Sequence, residues 1–435
     1  MRHLKTAFIL LALAFFAGSA WAADAPFPLR VSADGRHLED SSGKPFLIVG
    51  DAAWSLIAEL KRDEVDTYLD ARRKLGFNTI LASLIEHEFS SQAPADASGE
   101  KPFKTEGSFA EPNERYFENA KWVLRRAQEK GFLVLLAPAY LGVNGGSQGW
   151  QQEMIATGPE GLEAYGRYIG ALYKDLSNII WVHGCDNDPP DKRIVEAVVE
   201  GIERSAHGSL HTVSSSRGTV MLDIWPDTEW LSLNTVYVYE NIYTAVATQY
   251  ERTKHLPVLF FEGLYENERG TNAQMARSQA YGAMLAGAAG QIFGNNPMWH
   301  FSGPGVDHSD LTWQESLSSP GAKSMGHLRV LLESLPWWLI APDKGKVLPA
   351  GSSAVAGTAS DGSFSIVYLS GPEAVVVNGA VLKGTLVANW LDPTSGAKSD
   401  ANSNAAANGR LRFTPPSPRN ADGDSDWILL LKAQS

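Results

Sequence analysis

Two acidic side chains stand where a carboxylate is expensive to keep. Asp186 closes the run Trp181-Val182-His183-Gly184-Cys185-Asp186, and Glu262 closes Leu259-Phe260-Phe261-Glu262. Each follows directly on an apolar stretch, so each is drawn away from bulk water. Burial of that kind raises a carboxyl pKa unless a donor pairs with it. Two such groups facing one another suit the cleavage of an acetal: one protonates the leaving oxygen, the other attacks the sugar or activates water. Separations of ~5–5.5 Å give retention of configuration and ~6.5–9.5 Å give inversion. Competing readings exist for both. Asp186 could cap the helix that starts near Lys192, although Asp188 and Asp191 are better placed for it. Glu262 could form a loop ion pair, at a cost, between Phe261 and Gly263. Glu86 and Glu88 are rival carboxylates, read as substrate or supporting groups.

Other polar and aromatic residues follow the apolar runs and are candidates to hold a sugar. They are Asp51 and Trp54, His87, Tyr140, His183 and Asn187, Asn234 and Tyr237, and Asn295 and Trp299. Tyr237 is expected to hydrogen-bond Glu262; Asp51, His183 and Asn187 to hold hydroxyls; Trp54 and Trp299 to stack on a ring. No metal or cofactor is expected. His87-Glu88 continues as Phe89-Ser90-Ser91 rather than as a zinc motif, and no paired histidines stand at ligand spacing. Cys185 reads as a small buried apolar residue, and as the sole cysteine it excludes an intramolecular disulfide framework. No Gly-x-Ser-x-Gly occurs, which removes support for a serine esterase.

The elements that must position these residues repeat along the chain. Apolar runs at 46–49, 78–84, 133–137, 179–184, 212–215, 230–238, 257–261 and 290–294 read as eight strands. They are near-continuous in Ile, Leu, Val and Phe, as strands of a parallel sheet covered on both faces must be. Helical patterns fill the intervals at 62–75, 114–130, 161–176, 192–206, 241–253 and 272–288; the fifth crossover, 217–227, is short and weakly helical. Gly76-Phe77 and Gly131-Phe132 end two helices alike, the glycine as left-handed cap and the Phe entering the sheet. The fold class is therefore α/β, a (β/α)₈ TIM barrel whose active site lies at the C-terminal strand ends, where strands 4 and 7 face each other across the mouth. A doubly wound open sheet is the alternative, but Gly50-Asp51-Ala52-Ala53-Trp54 is no phosphate loop. A hairpin at 29–46 is expected under the barrel, and a helix at 321–335 after it. From 342 to 435 short alternating strands predict a small all-β sandwich, with a flexible Ala/Asn loop at 402–408.

The first 22 residues read as an export signal: Arg2, His3 and Lys5, an apolar run at 7–16, then small residues up to Ala22. Cleavage there leaves 413 of 435 residues, a barrel domain at 23–341 and a periplasmic or secreted location. The formal charge of −12 becomes −14 without the signal's two basic residues, Arg2 and Lys5. An acidic surface without basic runs argues against nucleic acid and anionic membranes as partners. Thirteen Trp, 13 Tyr and 17 Phe leave aromatic faces for a carbohydrate partner. The rival functional reading is a non-catalytic carbohydrate-binding protein on the same scaffold. A polysaccharide lyase would betray itself by unsaturated products, and a protease lacks every motif sought.

The segments 50–54, Gly184-Cys185-Asp186-Asn187-Asp188 and Phe261-Glu262-Gly263, with 325–342 and its Pro336-Trp337, resemble the apiosidase-like catalytic domain of glycoside hydrolase family 140. The stretch 388–396, Ala-Asn-Trp-Leu-Asp-Pro-Thr-Ser-Gly, is similar to the small β domain that follows this barrel and is sometimes labelled collagen-binding; nothing in the sequence supports that label. The resemblance spans nearly the whole chain after residue 22. It implies a retaining hydrolase with Asp186 as acid/base and Glu262 as nucleophile, acting on a plant or bacterial glycan. The family usually has Gly where Cys185 stands, which implies a shifted pocket. Its characterised activity is the release of apiose from pectic side chains.

Overall fold

The computed structural model describes residues 26–434; the expected export signal at 1–22 lies outside them. Eight parallel strands form the central sheet: β1 Ile48–Ala52, β2 Thr79–Ser83, β3 Leu133–Ala137, β4 Ile179–Gly184, β5 Leu210–Ser214, β6 Asn234–Tyr237, β7 Val258–Glu262 and β8 Gly290–Phe293. Neighbours follow chain order, and β1 pairs with β8 from Ile48↔Gly290 to Asp51↔Phe293. The seam between β5 and β6 is thinner. A parallel bridge joins His211 to Leu231, and the Ser232 N–H donates to the His211 carbonyl at 2.8 Å. Two threonine hydroxyls complete it: Thr212 donates to the Leu233 carbonyl at 3.0 Å and Thr235 to that of Val213. With that seam the sheet is a barrel.

Alternation along the strands decides which side chains fill the barrel. Ile48, Leu81, Leu133, Leu135, Ile180, Val182, Leu259 and Phe261 pack inside. Val49, Ile80, Val134, Leu136, Trp181 and Phe260 face the helices. Both faces are thus covered, which is why the strands read as unbroken apolar runs. The helices are α1 Arg62–Lys74, α2 Glu114–Glu129, α3 Gln151–Tyr173, α4 Arg193–Ser205, α5 Ile242–Tyr250, α6 Ala273–Leu285 and α7 Pro320–Glu333. α1 and α2 end as expected. Gly76 and Gly131 have φ of 92° and 78°. The Phe77 and Phe132 amides reach back to the carbonyls of Arg72 and Ala127 at 3.1 and 2.9 Å, forming Schellman caps. α3 is two helical pieces: Gly158, with φ 72° and ψ 166°, breaks it just before Pro159, so the expected helix from 161 is the second piece and a shorter one precedes it from Gln151. The fifth crossover keeps only one helical turn, Met221–Ile224.

A three-stranded meander, Arg30–Val31, Leu38–Glu39 and Pro45–Phe46, lies below the barrel and adds Leu29, Leu38 and Phe46 to its interior cluster. After α7, two antiparallel sheets of six and three strands enclose their own core of Val367, Val377, Trp390, Phe413 and Leu429. The segment expected to be a loop at 402–408 is instead an edge strand, Ser403–Ala405, paired with Leu411–Phe413, and its backbone bonds explain the order. This region is bolted to the barrel by Arg277 of α6. Its guanidinium is fully buried and meets Asp426 at 2.7 Å and Asp424 at 2.6 Å, while Tyr281 stacks on Tyr368 at 5.1 Å. Among the described residues no helix is long and apolar enough to cross a membrane.

Candidate active site

The C-terminal strand ends surround a cavity of about 700 Å³, and both singled-out carboxylates line it. They reach it by different local devices. β4 ends in three consecutive residues with positive φ: Gly184 at 76°, Cys185 at 70° and Asp186 at 59°. Left-handed backbone is unfavourable for side chains such as Cys, and three in a row persist only where neighbours over-determine them. Here the Cys185 amide donates to Ser214 O at 2.8 Å, Gly184 O accepts from Leu141 N at 3.1 Å and Asp186 O accepts from Asn144 N at 3.1 Å. β7 uses a bulge. The β6–β7 register shifts between Phe260 and Glu262, so that Glu262 pairs with Tyr237. Simple alternation after the inward Phe261 would send Glu262 toward the helices; a bulge re-aims it.

The two carboxyls feel the same surroundings. Burial pushes Asp186 up to about 6, against the Tyr140 hydroxyl, which donates to Oδ2 at 2.9 Å, and the positive Arg217. Burial raises Glu262 well above the usual carboxylate range, and the charge of Asp186 raises it further; the hydroxyls of Tyr265 and Tyr237 pull it back. Like charges in a shared dry site do not both ionise readily, so the charge on one member holds back ionisation of the other. Burial, reinforced by both acids, keeps Tyr140 and Tyr237 protonated as donors. Aromatic rings form the walls. The indole N–H of Trp54 donates to Tyr265 Oη at 2.9 Å, and its ring lies 6.2 Å from Tyr140; Trp299 meets Phe89 edge-on at 5.3 Å.

Trp54, Tyr140, Tyr237 and Trp299 thus share the cavity with Asp186 and Glu262. Six other expected contacts are placed elsewhere. Asp51 points outward from β1 and is sealed: Arg72 Nε lies 2.7 Å and Tyr68 Oη 2.6 Å from its Oδ2. Burial raises its carboxyl while Arg72 and Tyr68 oppose the rise. His183 also faces the helices, its Nε2 3.0 Å from His211 Nδ1, and burial holds its pKa far down. Asn187 donates to Gln151 on the early turn of α3, and Asn234 donates to Gln249 of α5 at 3.3 Å. Asn295 donates to Glu266 at 2.9 Å, within the network that caps α7 through Gly321. His87 lies edge-on to Trp150 at 4.5 Å, outside the cavity wall. For Asp51 and His183 the cause is alternation, which sends them to the helix side; Asn234 opens β6 at the end away from the mouth, and His87, Asn187 and Asn295 sit on loops whose own partners hold them. Asp191, not Asp186, accepts from the start of α4, at Arg193 N, 3.1 Å. Cys185 is buried, and its thiol is pushed up by burial and by both acids.

Sequence reasoning passed over Arg217, Tyr265, Glu268 and Arg269, and gave Tyr239 no role; all line the cavity. The Arg217 and Arg269 guanidiniums lie 4.5 and 5.7 Å from the Tyr239 ring. They come from loops, where no periodicity announces a position. Glu86 also lines the cavity but is occupied, accepting from Ser55 Oγ at 2.8 Å and from the His87 amide at 2.9 Å.

Comparison with known proteins bears on this geometry. Residues 32–339 match the family model described as "Apiosidase-like, catalytic domain". Residues 342–432 match one described as "Putative collagen-binding domain of a collagenase". No curated protein matches. Among solved structures, one titled a glycoside hydrolase superposes with a TM-score of 0.80 at 22% identity, covering 94% of this chain and 97% of that one. A glycoside hydrolase family 5 structure from Bacteroides vulgatus superposes at 0.81 with 21% identity, covering 94% and 95%. A third, titled a glycoside hydrolase from the same organism, gives 0.71 at 14% identity, covering 94% and 83%. At these identities the likeness is one of fold.

Proposed function

This chain belongs to the apiosidase-like catalytic-domain family and is a glycoside hydrolase; we propose that it works by double displacement, with Asp186 as acid/base and Glu262 as nucleophile. In the first step the Asp186 carboxyl gives its proton to the glycosidic oxygen while the Glu262 carboxylate attacks the anomeric carbon. The bond to the leaving group breaks and a glycosyl ester forms on Glu262. In the second step the Asp186 carboxylate takes a proton from water, whose oxygen displaces Glu262 and restores both groups. The chemistry needs one protonated and one ionised carboxyl at the start. The observation that carries the reading is that Asp186 and Glu262 line one cavity, where burial raises both carboxyls and the Asp186 charge raises Glu262 further. The Tyr237 and Tyr265 hydroxyls favour the ionised form of Glu262, a natural support for the nucleophile. Trp54 and Trp299 offer faces for a sugar ring.

The substrate proposed is a plant or bacterial glycan, with apiose-bearing pectic side chains the first to test given the family. Purified protein is screened against such polysaccharides, with Glu262→Ala and Asp186→Ala as controls. Both variants are expected to fold normally and lose turnover. The first-formed product, followed by NMR, is expected to keep the anomeric configuration of the substrate. Near-wild-type activity in Glu262→Ala, or an inverted product, would overturn the assignment. Export is proposed from residues 1–22. Expression of the full chain in a Gram-negative host is expected to yield periplasmic or secreted protein beginning at Ala23; a cytoplasmic product with an intact N-terminus refutes it.

A further inference from the structure

The loop after β7 carries a further acid into the cavity that the reaction leaves unused. Glu268 follows Glu262 by six residues and lines the same wall as Trp299. A tight turn fixes its backbone: the Glu268 amide donates to Tyr265 O at 3.1 Å, and Glu268 O accepts from Thr271 N at 2.9 Å. Its side chain is 12% exposed, yet its buried Oε2 has no hydrogen-bond partner. The indole N–H of Trp299, a residue 5% exposed, points toward Glu268 but falls short of hydrogen-bond geometry. A buried carboxylate oxygen and a buried indole N–H left open side by side are costly unless something takes up both.

What takes them up must offer a donor to Glu268 and an acceptor to Trp299. A hydroxyl does both, and two hydroxyls on adjacent carbons do so without strain. Glu268 and Trp299 line the same cavity as Glu262, and the short loop from β7 ties Glu268 to the nucleophile's own strand. Asp307, from the loop after β8, presents a further unpartnered buried oxygen, Oδ2. Arg269 approaches these two acids at 3.7 and 3.6 Å but is 45% exposed. Burial and the neighbouring Asp307 push the Glu268 carboxyl up to about 7, and Arg269 offsets part of the charge; a sugar carboxylate seated there would still add one more acid to a wall that already holds Glu262, Glu268 and Asp307.

We propose that Glu268 and Trp299 form the hydroxyl-reading wall of the subsite next to Glu262, and that this subsite accepts a neutral sugar ring and rejects a uronic acid. The inference rests on the hydrolase reading above and deepens it. Full-length protein is titrated by calorimetry with free neutral pentoses and hexoses and with the matching uronic acids. At least one neutral sugar is expected to bind and no uronic acid to compete. Glu268→Ala is expected to weaken that binding about ten-fold or more, since a hydrogen bond to a charged group is lost. Glu268→Gln keeps the shape, guards against a folding artefact, and is expected to weaken binding severalfold. Unchanged binding in both variants, tighter binding of a uronic acid, or no sugar binding at all overturns the inference. Hydrolysis by the wild type with no Glu268 effect sinks this proposal alone. Glu268-dependent binding without hydrolysis of any glycan sinks the enzymatic reading alone.

Discussion

Replacing Asp186 by Asn should stabilise the folded chain, and chiefly at neutral pH. The Asp186 carboxyl ionises at about 6 instead of its ordinary 3.8, because neighbours pack it away from water. A carboxyl whose pKa is raised on folding binds its proton more tightly in the native state. Its ionisation therefore weakens the fold progressively as pH climbs from 3.8 through 6. Below that window it is neutral in both states and contributes nothing. At 1.36 kcal/mol per pH unit, the burden is at most about 3 kcal/mol at pH 7.5 and about 0.5 kcal/mol at pH 4. Asn keeps an acceptor for the Tyr140 hydroxyl, now 2.9 Å from the carboxylate, and tolerates the φ of 59° as well as Asp does. It forfeits the attraction of Arg217, a solvent-exposed cation whose pull is screened. With a melting entropy of about 2 cal/mol/K per residue, the melting temperature should rise about 3 °C at pH 7.5 and less than about 1 °C at pH 4. Calorimetric melts of both proteins in the two buffers decide it. Equal shifts at the two pH values, or a loss of stability at pH 7.5, would refute an ionisation burden at this site.

Three further outcomes follow from the same geometry. Tyr140→Phe removes the hydroxyl that lowers the Asp186 pKa, so the alkaline limb of the kcat/KM profile should move to higher pH; a limb that stays or falls contradicts the acid role. Arg277→Met leaves Asp426 buried with only Asn420 and Tyr368 as donors, at 2.8 and 2.9 Å, and should cost about 3 kcal/mol in urea unfolding with kcat unchanged. Asp51→Asn should likewise destabilise, by unpairing buried Arg72, while KM stays at its wild-type value, because Asp51 does not face the cavity; a raised KM would return it to the substrate.

The strands were legible because burial on both faces leaves a run of apolar residues that no helix period imitates. β3 and β4 were bounded to the residue, and the two glycine-capped helices announced themselves by Gly76-Phe77 and Gly131-Phe132. The site was less so, for a geometric reason. A strand end alternates faces every residue, and one bulge or left-handed turn reverses the count. Asp51 and His183 look like mouth residues by position, yet pack against Arg72 and His211 on the outer face, while Asn234 opens β6 at the opposite end and pairs with Gln249. Loop residues such as Arg217 and Glu268 carry no periodic signal at all.

The same reversal accounts for what the barrel does with its two acids. Had β7 run without its bulge, Glu262 would follow Phe261 to the helix side, as Asp51 does on β1. Had β4 ended in ordinary extended backbone, Asp186 would lack the turn at Gly184, Cys185 and Asp186 that brings it to the cavity. Each carboxyl is thus delivered by a local departure from the regular strand, held by backbone bonds to the next strand or loop: Ser214 and Asn144 for the turn, Val238 for Glu262 O at 3.2 Å. The cost of these departures is conformational and the cost of the buried charges is electrostatic. Neither lowers the energy of the empty fold, and both become useful only when a sugar is seated between the two carboxyls.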